Sequence, residues 1–197
     1  MYPILACSVV AVGIIAERVI RLRGALSGSD GFLRSFSDIT TSGFDPGAAL
    51  NLCDKTPGLL PRLARVAVIH RDRPREQIKE SLEVEAARMV PELQRHLNLL
   101  GVIAQVAPLL GLLGTVIGLI NSFAAIQAAA QTGQGVIGAD VVAGGIWVAL
   151  LTTAAGLTVA IPVYVAHSFL ERWSDTIITE LEVGTGEIVR LMEGGEI

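Results

Sequence analysis

Two sets of hydroxyl side chains, placed among glycines and alanines inside long uncharged stretches, are the residues of this chain whose types and spacing could do chemistry. In the first stretch Gly101, Ala104, Pro108, Gly111, Thr115, Gly118, Ser122, Ala125 and Ala129 recur at steps of three and four, which puts them on one helical face. In the second, Gly145, Ala149, Thr152 and Gly156 make a matching stripe beside Thr153. A hydroxyl both donates and accepts a hydrogen bond, so Thr115, Ser122, Thr152 and Thr153 could line a polar path. The same stripes have a plainer use. Small faces let helix backbones approach closely in lipid, which gives Gly111, Gly114, Gly118, Gly145, Ala149 and Gly156 a packing role. Helical Ser and Thr also commonly bond the carbonyl four residues back, so both readings stay open on these residues alone.

What is missing narrows the chemistry further. No Asp, Glu, Lys or Arg lies between Arg95 and Asp140, nor between Asp140 and Glu171. A charge carried through a membrane usually needs an ionisable relay, so any proton-binding group at mid-depth must arrive on another chain. Glu17, four residues before Arg21, reads as half of a structural ion pair. Asp140 reads as a helix N-cap, with a cation-attracting mouth as the other reading, and His167 as an interfacial residue. Cys7 falls in an apolar run and Cys53 in a polar loop, so they do not pair, and no zinc spacing exists. Gly111, Gly114 and Gly118 are followed by no lysine, which removes a phosphate loop. With no Ser/His/Asp or metal cluster, no enzyme, cofactor or metal site is expected. The net charge of −4 argues against a nucleic-acid partner.

The elements that must hold these stripes follow from length. A bilayer core needs roughly 20 apolar residues in helix, and each uncharged run exceeds that. At 51% hydrophobic and 17% charged, the 197 residues describe a chain partly in lipid and partly in water. A third apolar run, from Met1 to Ala16, spans if Glu17, Arg18 and Arg21 snorkel; a signal peptide would place its charges before the run, not after it. The expected fold is all-α: a first span over 1–20, a helical loop over 21–95, a second span over 96–130, a hairpin over 131–140, a third span over 141–168 and a helical tail over 169–197. Pro108 and Pro162 are expected to bend their spans. Lys and Arg flank the loop and the tail but are absent from Gln131 to Asp140, so the amino terminus and hairpin lie outside and the loop and tail in the cytoplasm. A two-span alternative, with the first run lying in the interface, leaves the hairpin unchanged.

Within the loop, Asp45-Pro46 opens a short helix to about Asp54, Pro57-Gly58 breaks it, and Leu59 to His70 forms another. Pro74 starts the longest element. Ile78, Leu82, Met89, Leu93 and Leu97 recur at helical spacing, which predicts one helix running from there into the second span with a bend at Pro91. Trp173, Ile177, Leu181, Ile188 and Leu191 likewise predict that the third span continues into the tail. The tail is acidic and the loop carries a small basic excess, so the two are electrostatic partners or simply solvated faces.

Taken together, the residues from Val106-Ala107-Pro108-Leu109-Leu110-Gly111-Leu112-Leu113-Gly114-Thr115-Val116 through Gly118 and Asn121-Ser122-Phe123, then Gly145-Ile146, Ala149-Leu150-Leu151-Thr152-Thr153-Ala154-Ala155-Gly156-Leu157 and Ala160-Ile161-Pro162, resemble the MotA/TolQ/ExbB proton channel family. ExbB and TolQ are closer than the flagellar stator MotA. The resemblance covers both long spans and extends weakly to Glu17-Arg18. It implies a multi-pass subunit of the bacterial inner membrane, a homo-oligomer that is pentameric in that family. Such a ring surrounds the transmembrane helices of an ExbD/TolR-type partner that supplies a membrane aspartate. Proton flow would then drive a TonB/TolA-type protein acting on the outer membrane. By position, Thr115 and Thr153 match the family's pore-facing threonines. One departure is Val148, where ExbB and TolQ commonly carry a glutamate. A passive oligomeric scaffold embedded in membrane lipid and a MotA-type stator subunit are the alternatives.

Overall fold

The computed structural model describes residues 2–25, 29–41, 44–131 and 139–194, and every regular element among them is an α-helix. They are α1 (Tyr2–Ala25), α2 (Ser29–Thr41), α3 (Pro46–Lys55), α4 (Leu59–Ile69), α5 (Arg75–Gln94), α6 (Leu97–Gln131) and α7 (Ala139–Gly194). Three helical stretches are long and apolar enough to cross a membrane, within Tyr2–Ala25, Arg75–Ala128 and Val142–Met192. The hairpin apart from its ends, and the side chain of Asp140, lie outside the described residues.

The chain divides into two compact units, one formed by Met1–Ala16 with His96–Phe169, the other by Glu17–Arg95 with Leu170–Ile197. In the first, α1 buries Ile4, Ala11 and Ile14, and α6 buries Leu100, Ile103, Ala104 and Ala107. In this unit α6 leaves Leu109, Leu112, Leu113 and Ile117 exposed, and α7 leaves Leu150, Ile161 and Val165 exposed. A continuous apolar exterior of this kind is unfavourable in water and is what a lipid-facing surface requires.

The second unit is built like a soluble helical domain. Asp45 accepts a 2.9 Å hydrogen bond from the Gly47 backbone N–H and caps α3, with Pro46 in the first turn. Gly58 separates α3 from α4 at φ 136°, a conformation that a side chain would strain. Phe32 and Phe36 of α2 stack with ring centroids 5.6 Å apart and are buried. Ile78, Leu82, Met89 and Leu93 of the expected stripe are buried here, Leu97 being buried in the first unit, and Ile177, Leu181 and Ile188 of α7 are buried too. Arg62 pairs with Glu85 at 3.7 Å and Glu92 at 3.5 Å, and Arg65 with Asp54 at 2.7 Å. These exposed pairs join loop helices to one another.

One expectation is corrected. The chain does not run as one helix from Pro74 into the second span, and Pro91 is not where it breaks: α5 passes through Pro91 and ends at Gln94. Arg95 turns extended at ψ 136° and His96 adopts φ 63°, after which the Leu100 N–H bonds to the His96 carbonyl at 3.1 Å as α6 begins. The third span does continue into the tail, because α7 is one helix of 56 residues.

Candidate functional site

The carbonyls at the end of α5 are met by Arg18 of α1. Arg18 is 1% exposed, and its Nη1 donates to the Glu92 carbonyl at 3.0 Å and the Leu93 carbonyl at 3.4 Å. The last carbonyls of a helix have no partner within it, and a guanidinium there satisfies them while opposing the negative end of the helix dipole. Glu17 Oε1 balances the charge, accepting from Arg18 Nη2 at 3.2 Å and Arg21 Nε at 3.1 Å. The expected Glu17–Arg21 pair is therefore present, with Arg18 as a third member. A signal was available: Ala11, Ile14, Arg18 and Leu22 recur at steps of three and four, all on the buried stripe of α1.

Within the membrane unit, glycine decides how α6 meets α7. A Cβ added to Gly111 would stand 3.0 Å from the Thr152 carbonyl, one on Gly114 2.6 Å from Thr152 Oγ1, and one on Gly118 2.9 Å from the Ala149 Cβ. From the other side, a Cβ on Gly156 would stand 2.7 Å from the Ala107 carbonyl, and one on Gly145 would overlap Ser122 Oγ. All six of Gly111, Gly114, Gly118, Gly145, Ala149 and Gly156 thus lie on the α6–α7 seam, where the two backbones approach too closely for larger side chains. Pro108 lies inside α6 and Pro162 inside α7.

The seam brings the hydroxyls together. Thr115 Oγ1 and Thr153 Oγ1 are in direct contact across the two helices. Thr115 also reaches the Gly111 carbonyl and the Ala149 carbonyl, each at 3.2 Å, and Thr153 reaches the Gly111 carbonyl at 3.1 Å. Each hydroxyl has one proton, so the pair can be wired in two directions: Thr115 to Thr153 to Gly111, or Thr153 to Thr115 to Ala149. Thr152 donates to the Ala149 carbonyl at 2.7 Å and Ser122 to the Gly118 carbonyl at 2.9 Å, the local bonds of buried helical hydroxyls. Thr115 and Thr153 are half-buried, whereas Thr152 and Ser122 are buried, so the first two are the more open to a visitor. Val148 is exposed. Among the described residues no group of His, Cys, Asp or Glu is arranged to hold a metal ion.

The profile of the MotA/TolQ/ExbB proton channel family matches residues 57–183. The chain is 35% identical to the Biopolymer transport protein exbB1 of Vibrio cholerae over 98% of its own length and 84% of that protein. It is 31% identical to the Putative biopolymer transport protein ExbB-like 3 of Synechocystis sp., covering 81% of this chain and 74% of that one. The Tol-Pal system protein TolQ of Haemophilus influenzae is 29% identical over 85% of this chain and 75% of its own. With its three apolar helices and a glycine seam carrying paired threonines, this multi-pass membrane protein belongs to the MotA/TolQ/ExbB proton channel family, on its ExbB and TolQ side.

Proposed function

We propose that this chain is an ExbB/TolQ-like subunit of a motor in the bacterial inner membrane, driven by the proton-motive force. Copies of it form a pentameric ring around the transmembrane helices of an ExbD/TolR-type partner, whose aspartate binds the proton. A TonB/TolA-type protein passes the work on to the outer membrane. The amino terminus and the 131–140 hairpin face outward, and the loop over 21–95 and the tail over 169–197 lie in the cytoplasm. The subunit energises transport and is not itself an enzyme.

The observation that carries this reading is the Thr115–Thr153 contact in two spans that hold no carboxylate of their own. A pair of hydroxyls that can reverse its direction donates to a carboxylate in one arrangement and accepts from a protonated one in the other. Ser122 and Thr152 extend the polar lining along the same seam. The test uses vesicles containing this protein with its partner, or either alone. Flux that needs both chains is expected, and Thr115→Val with Thr153→Val, which keeps shape and removes both hydrogen bonds, should lower it by about tenfold or more while the oligomer still assembles. Full flux in that double variant removes the threonines from the mechanism. Flux absent from every preparation favours a passive scaffold, for which the glycine seam alone would suffice.

A further inference from the structure

Between Leu97 and Leu170 the sequence holds one histidine, His167, whose ring nitrogens can both donate and accept a proton. Near the inner end of the third span, it packs against α6. A Cβ added to Gly101 of α6 would stand 3.0 Å from His167 Nε2 and 3.4 Å from the ring carbons Cδ2 and Cε1. The imidazole of α7 therefore lies in a notch on the α6–α7 seam over residue 101, where a Cβ would oblige the ring to give way by a few tenths of an ångström. It is half-buried, and it continues the seam stripe of Thr153, Gly156, Ala160 and Val163 at steps of three and four. At 1.5 Å per residue, His167 lies about 21 Å along α7 from Thr153, on the side away from the hairpin. Gln105, exposed and one turn from Gly101, is a polar side chain at an intermediate level.

We propose that His167, in the notch over Gly101, accepts the proton at the cytoplasmic end of the α6–α7 seam; this rests on the proton-conducting reading above. Water on the threonine side, having taken up the proton that the partner's carboxyl releases, hands it as hydronium to a neutral ring nitrogen, which forms imidazolium and leaves water behind. The ring then gives a proton to water on the cytoplasmic side and is neutral again, so one proton has passed and no electrons have moved. On α6 no charged side chain follows Arg95 before Asp140, and His96 stands just over one turn before Gly101. On α7, Tyr164 and Glu171 stand one turn to either side, and the charged residues of α1 begin at Glu17.

Two measurements decide it. In vesicles holding this protein and its ExbD/TolR-type partner, His167→Gln is expected to lower proton flux by roughly tenfold and flatten its dependence on cytoplasmic-side pH between about 5 and 8. Gly101→Ala keeps the imidazole but displaces it, and should give a smaller loss with the pH dependence retained. Wild-type flux and profile in His167→Gln overturn the proposal. Independently, the ¹⁵N signals of His167 in the wild-type protein, in lipid nanodiscs without partner, should titrate over the same range; a ring that stays in one protonation state overturns it too. If wild-type vesicles show no partner-dependent flux, the parent reading falls and this one falls with it. A normal titration then shows that the fault lies in the motor assignment rather than in His167's access to protons.

Discussion

A threonine that is already fully committed to its own helix offers little to a passing carboxylate. Thr152 and Ser122 are close to that condition, each making its shortest bond to a carbonyl of its own helix, while Thr115 and Thr153 meet each other across two helices. The spacing of the hydroxyls was readable in the sequence. Which threonine meets which was not, because partners 38 residues apart are aligned by contacts such as Gly114 against Thr152 that spacing alone does not specify. Cys53 carries a prediction at the same scale. Burial, then the neighbouring Asp54, pushes its thiol from 9.0 up to about 11, with Arg65 pulling the other way. At pH 8 in a Cys7→Ser background, Cys53 should therefore alkylate about a hundredfold more slowly than an unperturbed thiol, since only the thiolate reacts. The folded thiol holds its proton more tightly than the unfolded one. Its contribution to stability is accordingly intact below about pH 9 and lost as pH rises toward 11, which urea titrations at pH 8 and 10.5 would reveal.

Helix periodicity was legible wherever a helix buries one face, as the stripe from Ile78 to Leu97 shows. Helix termination was legible only where it is local: Asp45-Pro46 and Pro57-Gly58 mark boundaries that the structure keeps. The end of α5 is different in kind. Gln94-Arg95-His96-Leu97 contains no proline or glycine, and the group that bonds the last carbonyls of α5 is Arg18, more than 70 residues earlier in the chain. Pro91, the obvious breaker, lies inside α5, which runs past it to Gln94 at the loss of one hydrogen bond, to the carbonyl four residues back. The α6–α7 contact makes its own prediction. Gly156→Ala should cost about 1–3 kcal/mol through overpacking, because its Cβ would press on the Ala107 carbonyl and the Gly111 Cα, both backbone atoms. Gly144→Ala on the same helix meets nothing within 4 Å and should be neutral. Thermal unfolding of the two variants in one detergent is the comparison that counts.

For the whole chain, composition announced a membrane protein before any element was placed, and the distribution of Lys and Arg predicts its orientation. With Cys7 and Cys53 replaced by serine, a membrane-impermeant maleimide should label Gln131→Cys in intact cells and Ser81→Cys only after permeabilisation; the reverse pattern would invert the topology. The length of α6 carries one more consequence. From Leu97 to Phe123 it extends about 40 Å at 1.5 Å per residue, against a hydrocarbon thickness of roughly 30 Å. The excess must be met by leaning or by reaching into the headgroups, so turnover should vary with acyl-chain length, and lipids with longer tails should hold α6 more upright.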